Sequence, residues 1–263
     1  GHSRGGAVIL EAINQWPELY ENVELVLEAP VLPQGRLSAL VTAVLEPVSH
    51  GMWPWLIRLI NSAPSSAYGQ TFFGKMNPRK KQLLGKLFSA TKIWTGDGDA
   101  TRQQDRESRR KWGIERFDLQ QVHNLVAWQQ HLATLQQMKA DGDVRYIGIT
   151  TSHGRRHGDF ARIMETEPLD FVQLTYNVLD REAEDRLLPL ARERGIAVIA
   201  NRPFQGGRLF RRFQSEALPP WADEVGCRNW AEFFLKYIIS HPAVTCAIPA
   251  TSKVEHMKEN MGA

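Results

Sequence analysis

Short apolar runs alternate with amphipathic stretches from about residue 88 to the end of the chain. Six runs are almost continuously apolar, as expected for strands that are buried on both faces. They cover residues 88–94, 117–124, 144–150, 171–177, 196–201 and 244–249. Strand-then-helix repeats of roughly 25 to 30 residues predict a parallel sheet with right-handed crossovers. Six consecutive repeats favour a β/α barrel of the TIM type over a small open sheet.

The stretches between the runs carry apolar residues at helical spacing, and three of them have recognisable ends. Gly142 closes the stretch that begins at Trp128, and Gly195 closes residues 181–194. A third helix is predicted over 229–239, with Asn229 as its N-cap.

The first 87 residues follow a different pattern. A glycine-rich start leads into a helical stretch, residues 23–30 are typical of a strand, and a proline-containing apolar region follows to about Ile60. We therefore expect a separate segment over 1–87 and a barrel portion over 88–263, so that the barrel is incomplete or has a substituted N-terminal part.

Composition narrows the function classes. The chain has 263 residues, 43% of them hydrophobic, and a formal net charge of +3. This charge is too small and too scattered to predict a nucleic-acid or membrane partner. Cys227 and Cys246 lie far apart and without a histidine cluster, so neither a disulfide scaffold nor a metal site is expected. A cytoplasmic setting follows by default, although a chain that begins at Gly1 leaves an upstream targeting segment open.

Two titratable residues lie where apolar runs end, Lys92 in the first run and His123 in the second. Such residues are costly inside a sheet but well placed at the carboxyl-terminal mouth of a β/α barrel, where active sites of that fold are built. We expect the amine and the imidazole to converge over one pocket, together with Gln173.

Five short motifs, in sequence order, resemble the aldo/keto reductase superfamily over about residues 88–263. They are Ala90-Thr91-Lys92, the run from Asp118 to His123, Gly148-Ile149-Thr150-Thr151, Gln173 with Tyr176 and Asn177, and the segment from Ile248 to Asn260. The resemblance implies that residues 88–263 supply barrel strands three to eight. It also implies NAD(P)H-dependent reduction of a small carbonyl compound, without a metal.

The resemblance assigns catalytic roles. Lys92 and His123 take the places of the family's lysine and histidine. The family's proton donor is a tyrosine whose pKa the lysine ammonium lowers. Tyr68 is the candidate for that role, although it lies two residues beyond the family spacing and Asn61 stands where the family has an aspartate.

The resemblance also assigns cofactor contacts. Thr150, Thr151 and Gln173 are expected to hold the nicotinamide carboxamide, and Asn201 falls where many members carry a ring-stacking tyrosine. The residues expected at the adenosine phosphate and the adenine are Thr251, Ser252, Lys253, His256, Glu259 and Asn260. NADP is favoured over NAD because the side chains of Lys253 and His256 can balance the negative charge of a 2′-phosphate. The oligomeric state is left open.

Two other hypotheses remain open at this stage. Gly1-His2-Ser3-Arg4-Gly5 resembles the nucleophile elbow of an α/β-hydrolase, so a serine hydrolase fragment could use Ser3. Its triad would be completed by Asp97 or Asp99 and by His123. The third hypothesis is a barrel without catalytic activity, produced by fusion or truncation.

Overall fold

The computed structural model describes residues 26–28, 88–112, 114–251 and 253–261. The chain forms two compact units, the first made of residues 1–121 and 126–146 and the second of residues 122–125 and 147–263. The strands are β1 (Val26–Glu28), β2 (Phe88–Ile93), β3 (Phe117–His123), β4 (Val144–Thr150), β5 (Phe171–Thr175), β6 (Ala197–Asn201) and β7 (Cys246–Ala247). The α-helices among these residues are α1 (Thr101–Trp112), α2 (Trp128–Ala140), α3 (His157–Thr166), α4 (Leu187–Arg194), α5 (Arg208–Phe213), α6 (Trp230–Ile239) and α7 (Val254–Met261).

In the first unit the sheet order is β1-β2-β3-β4. Strand β1 pairs in parallel with β2, with Val26 opposite Phe88 and Glu28 opposite Ala90. The predicted strand over 23–30 is thus confirmed at its centre, and its remaining residues lie outside the described part of the chain.

In the second unit the order is β4-β5-β6-β7. Each of these pairs is parallel, with Thr150 opposite Gln173, Thr175 opposite Asn201 and Ala200 opposite Ala247. Parallel strands that follow one another in chain order, with a helix between most of them, are the arrangement of the β/α-barrel class. The predicted fold class is confirmed.

The helix predicted from residue 181 begins later. A 3₁₀ turn at Glu182–Glu184 comes first, and α4 starts at Leu187. Pro189 explains the difference, because proline has no N–H to donate and fits only the first turn of a helix. The end is as predicted, with Gly195 in the left-handed conformation at φ 66°.

Two further predicted boundaries can be compared with the structure. Asn229 caps α6 as expected, and its side chain accepts a hydrogen bond from the Glu232 N–H at 3.0 Å. The last apolar run, in contrast, forms a strand only over Cys246–Ala247. Pro249 follows closely and cannot donate to a sheet ladder, so strand pairing stops early.

Packing follows the predicted apolar faces. Leu132, Leu135 and Met138 of α2 are buried in the first unit. In the second unit a hydrophobic cluster of Phe204, Leu209, Phe234 and Leu235 is extended by partly buried aromatic residues. No helix among the described residues is long and apolar enough to cross a membrane.

Gly148 gives a direct test of the β4–β5 pairing. A Cβ added there would lie 2.3 Å from the Phe171 carbonyl oxygen. We expect Gly148→Ala to lower the free energy of unfolding by about 1–3 kcal/mol, because neighbouring backbone would have to move. Urea unfolding measures the change.

Gly158→Ala is the matched control for this substitution. Gly158 lies in α3, and an added Cβ there would have no neighbour within 4 Å. Since alanine favours a helix by roughly 1 kcal/mol over glycine, this variant should be as stable as the parent or more so. Equal losses in the two variants would contradict the β4–β5 register.

Candidate functional site

Buried polar side chains collect at the carboxyl ends of β4, β5 and β6 in the second unit. Thr150, Gln173, Thr175 and Asn201 are all buried there, in facing pairs across neighbouring strands. The backbone adds one connection, since the Thr151 N–H donates to the Gln173 carbonyl at 3.0 Å. Three residues that the sequence predicted at a common site, Thr150, Gln173 and Asn201, are therefore brought together.

Two buried side-chain atoms at these strand ends have unused hydrogen-bonding capacity. Thr151 Oγ1 and Gln173 Oε1 are buried and have no hydrogen-bond partner among the described residues. Buried polar atoms are rarely left unpaired in native proteins, so each such atom calls for an explanation. A ligand with hydrogen-bonding groups would supply the missing partners.

Asn201 has both ends of its amide engaged with protein. Nδ2 donates to the Thr151 carbonyl at 2.8 Å, and Oδ1 accepts from Thr175 Oγ1 at 2.7 Å. The Thr175 hydroxyl in turn accepts from the His153 N–H at 3.0 Å. The Asn201 amide therefore connects the ends of β4, β5 and β6. The predicted contact of Asn201 with a cofactor stays a prediction.

His123 is the last residue of β3 and is partly buried. The chain leaves the strand through Asn124 and Leu125 with φ of 51° and 56°. Left-handed backbone at residues other than glycine costs about 1–2 kcal/mol each and occurs most often near functional sites. Arg156, from the loop after β4, donates to the Leu125 carbonyl at 3.3 Å and holds this turn.

Lys92 lies in the first unit, one residue before the end of β2, and is buried. Burial lowers the pKa of its ammonium group from 10.5 to about 7, because the charged form loses its hydration. Perturbed ionisation of this kind is concentrated at functional sites. Lys92 and His123 belong to different units, so their predicted convergence over one pocket stays a prediction.

Three guanidinium groups, of Arg155, Arg202 and Arg208, lie beside His153 near the ends of β4 and β6 and are called the cation group below. Partial burial lowers the pKa of His153, and the three guanidinium groups lower it further. Burial followed by the charge of Arg208 also lowers the pKa of Arg202. The negative charge of Asp180 acts in the opposite direction and raises the pKa of both His153 and Arg202. An anion bound here would relieve the mutual repulsion.

The segment after β7 forms the start of α7. Thr251 Oγ1 accepts from the Lys253 N–H at 3.1 Å, and the Lys253 carbonyl accepts from the Met257 N–H at 3.2 Å. The side chains of Lys253, His256 and Glu259 are exposed, and Asn260 is partly exposed. Their predicted roles as adenosine contacts stay predictions.

Ser3, Asn61, Tyr68 and Ser252 lie outside the described residues. Their predicted roles, and the boundary expected after residue 87, remain predictions. Among the residues that are described, no group of three or more His, Cys, Asp or Glu side chains is arranged to hold a metal ion.

Thr175 and His153 were not among the site residues predicted from the sequence. Thr175 lies two residues after Gln173 and therefore on the same face of β5. That alternation was the signal available, but nothing in the sequence showed that Asn201 would be its partner.

A family model describing the aldo/keto reductase family matches residues 57–263, which is most of the chain. The chain belongs to the aldo/keto reductase family. The match begins before residue 88, where the sequence resemblance was expected to start, and it includes Tyr68. It does not reach Ser3, and the resemblance of the first residues to an α/β-hydrolase is not shown.

Relatives agree with this assignment. An uncharacterized oxidoreductase of Schizosaccharomyces pombe is 27% identical over 165 residues, which are 62% of this chain and 52% of that protein. The chain thus spans about half the length of this curated relative.

Solved structures show the same fold at low sequence identity. The holo form of an aldo-keto reductase from Bacillus halodurans aligns with a TM-score of 0.64 at 19% identity, over 96% of this chain and 79% of that one. An aldo/keto reductase from Klebsiella pneumoniae, in complex with NADP and acetate, aligns with a TM-score of 0.65 at 18% identity, over 99% of this chain and 79% of that one.

Proposed function

We propose that the chain is an oxidoreductase that uses NAD(P)H to reduce a small aldehyde or ketone to an alcohol. The observation that carries the proposal is the pair of buried, unpartnered atoms Thr151 Oγ1 and Gln173 Oε1. A nicotinamide carboxamide offers N–H donors and a carbonyl acceptor on one small group. The Gln173 oxygen can accept from that amide, and the Thr151 hydroxyl can donate or accept.

NADP is the proposed cofactor. The Klebsiella pneumoniae relative is in complex with NADP. In this chain the cation group would offset the charge of a diphosphate, and the exposed Lys253 and His256 at the start of α7 would offset that of a 2′-phosphate. When bound, the reduced cofactor supplies the hydride.

The remaining chemistry is proposed for three side chains of this protein. His123 would donate a hydrogen bond to the substrate carbonyl and orient it. Tyr68 would give the proton that converts the developing alkoxide into an alcohol. In its charged form, which a pKa of about 7 makes available at and below neutral pH, Lys92 would favour ionisation of that tyrosine. A cytoplasmic setting, expected from the sparse cysteines, belongs to the same proposal.

The test is a turnover assay with a panel of aldehydes and ketones, measured as loss of NADPH absorbance with the purified chain. Aldehyde-dependent oxidation of NADPH that His123→Leu reduces at least about tenfold would support the proposal. A chain that binds NADPH but oxidises it with no member of the panel would contradict the reductase assignment and favour a barrel without catalytic activity.

A further inference from the structure

The Asn201–Thr175 hydrogen bond is the centre of a buried polar brace, defined by Asn201, Thr175, the Thr151 carbonyl and the His153 N–H. The Thr175 hydroxyl has one proton, which it gives to Asn201 Oδ1 at 2.7 Å, so it acts as an acceptor toward His153 N at 3.0 Å. Asn201 Nδ2 completes the brace at the Thr151 carbonyl, 2.8 Å away. Both side chains are buried.

The brace fixes the loop after β4 at two backbone points, one at Thr151 and one at His153. His153 has φ 64°, in the left-handed region that residues other than glycine adopt infrequently. Between the strands, the Thr151 N–H is bonded to the Gln173 carbonyl at 3.0 Å. The position of the Thr151 side chain relative to Gln173 therefore depends on this backbone bond together with the hydrogen bonds that Asn201 and Thr175 make to the loop.

Thr151 Oγ1 and Gln173 Oε1 are buried without a hydrogen-bond partner among the described residues, whereas Asn201 directs its carbonyl and one amide proton into the protein. We propose that Asn201 and Thr175 are positioning residues, which hold Thr151 and Gln173 at the separation that the nicotinamide carboxamide requires. This inference rests on the proposed function and gives Asn201 a positioning role in place of the direct cofactor contact predicted for it.

Thr175→Val and Thr175→Ser form a matched pair for the test. Valine keeps the shape of threonine and removes the hydroxyl, so it breaks both hydrogen bonds at once. Serine keeps the hydroxyl. The ligands are NADPH and adenosine 2′,5′-bisphosphate, which lacks the nicotinamide half, and their Kd values are measured by calorimetry. Amide hydrogen exchange of the segment 151–156 in the free protein reports the brace itself.

We expect Thr175→Val to raise the Kd for NADPH about tenfold, to leave that for adenosine 2′,5′-bisphosphate within about twofold, and to speed exchange in 151–156. Thr175→Ser should restore NADPH binding to within about threefold. Asn201→Ala should weaken NADPH binding to a similar extent, and the double variant should be little weaker than either single one, because both act through one network.

If Thr175 had only a general structural role, Thr175→Val would weaken the binding of NADPH and of adenosine 2′,5′-bisphosphate alike. That result would overturn the inference. So would an unchanged Kd for NADPH in Thr175→Val when exchange in 151–156 is faster. If Thr175→Val does not fold, Thr175→Ala and Asn201→Ala provide the same comparison. A parent protein that binds neither ligand overturns the proposed function and this inference with it.

Discussion

Replacing Lys92 by methionine should lower kcat/KM for carbonyl reduction by about 10²–10⁴-fold and at the same time make the protein more stable at pH 7. Methionine has a similar length and no charge. Catalysis falls because the proposed tyrosine loses the positive charge that favours its ionisation. Stability rises because a buried ammonium group is replaced by an apolar one.

The stability gain has a defined pH dependence. The pKa of Lys92 is about 7 in the folded protein and about 10.5 in the unfolded chain. Between these values the unfolded chain binds a proton that the folded protein lacks, so stability of the parent rises with pH, by at most about 1.4 kcal/mol per pH unit. Below pH 7 Lys92 is protonated in both the folded and the unfolded chain. The full free-energy cost of burying its charged ammonium group is then present. The advantage of Lys92→Met should therefore be largest at or below pH 7 and should shrink as pH approaches 10.5.

Urea unfolding across this pH range, for the parent and for Lys92→Met, measures the effect. Lys139→Met is the matched control, because Lys139 is an exposed lysine in the last turn of α2. It should change neither kcat/KM nor the pH dependence of stability. A stability difference between parent and Lys92→Met that does not vary with pH would contradict the lowered pKa, and full activity in Lys92→Met would contradict its catalytic role.

Replacing Gln173 by leucine should weaken NADPH binding about tenfold while leaving the stability of the free protein unchanged or higher. The side chain is buried and its Oε1 has no partner among the described residues, so the free protein loses no hydrogen bond at that atom. Binding is weakened because the carboxamide of the cofactor would meet an apolar surface. Calorimetry and thermal unfolding measure the two effects.

Gln120→Leu is the control for this substitution. Gln120 is also buried, but its Nε2 donates to Asp105 Oδ1 at 2.7 Å. Removing that donor from a buried carboxylate should lower the free energy of unfolding by about 1–3 kcal/mol and leave the Kd for NADPH unchanged. If Gln173→Leu behaved like Gln120→Leu, with lost stability and normal binding, Gln173 would be a structural amide and the site assignment would fail.

The sequence predicted strands and most helix ends well, because apolar runs and terminal glycine or asparagine residues determine them locally. Residues 144–150 match β4 in full, and Asn229 and Gly195 act at helix ends as expected. The late start of α4 depends on Pro189, whose effect the helical pattern alone did not reveal.

The site was only partly predictable. Motif order indicated Thr150, Thr151 and Gln173, since strand ends of a parallel sheet lie at one edge. The role of Asn201 depends on the register that places it opposite Thr175, and register is a property of the folded sheet rather than of any local stretch. The lowered pKa of Lys92 likewise arises from its burial, which exists only in the folded chain.

Titration of the purified chain with NADPH, followed by tryptophan fluorescence, measures whether the chain binds this cofactor. The protein contains eight tryptophans as reporters. We expect saturable quenching with a Kd that is about tenfold higher in Gln173→Leu and unchanged in Gln120→Leu. Absence of quenching and of calorimetric heat up to about 1 mM NADPH, a concentration at which even a weak site would be half filled, would contradict the proposed binding of NADPH.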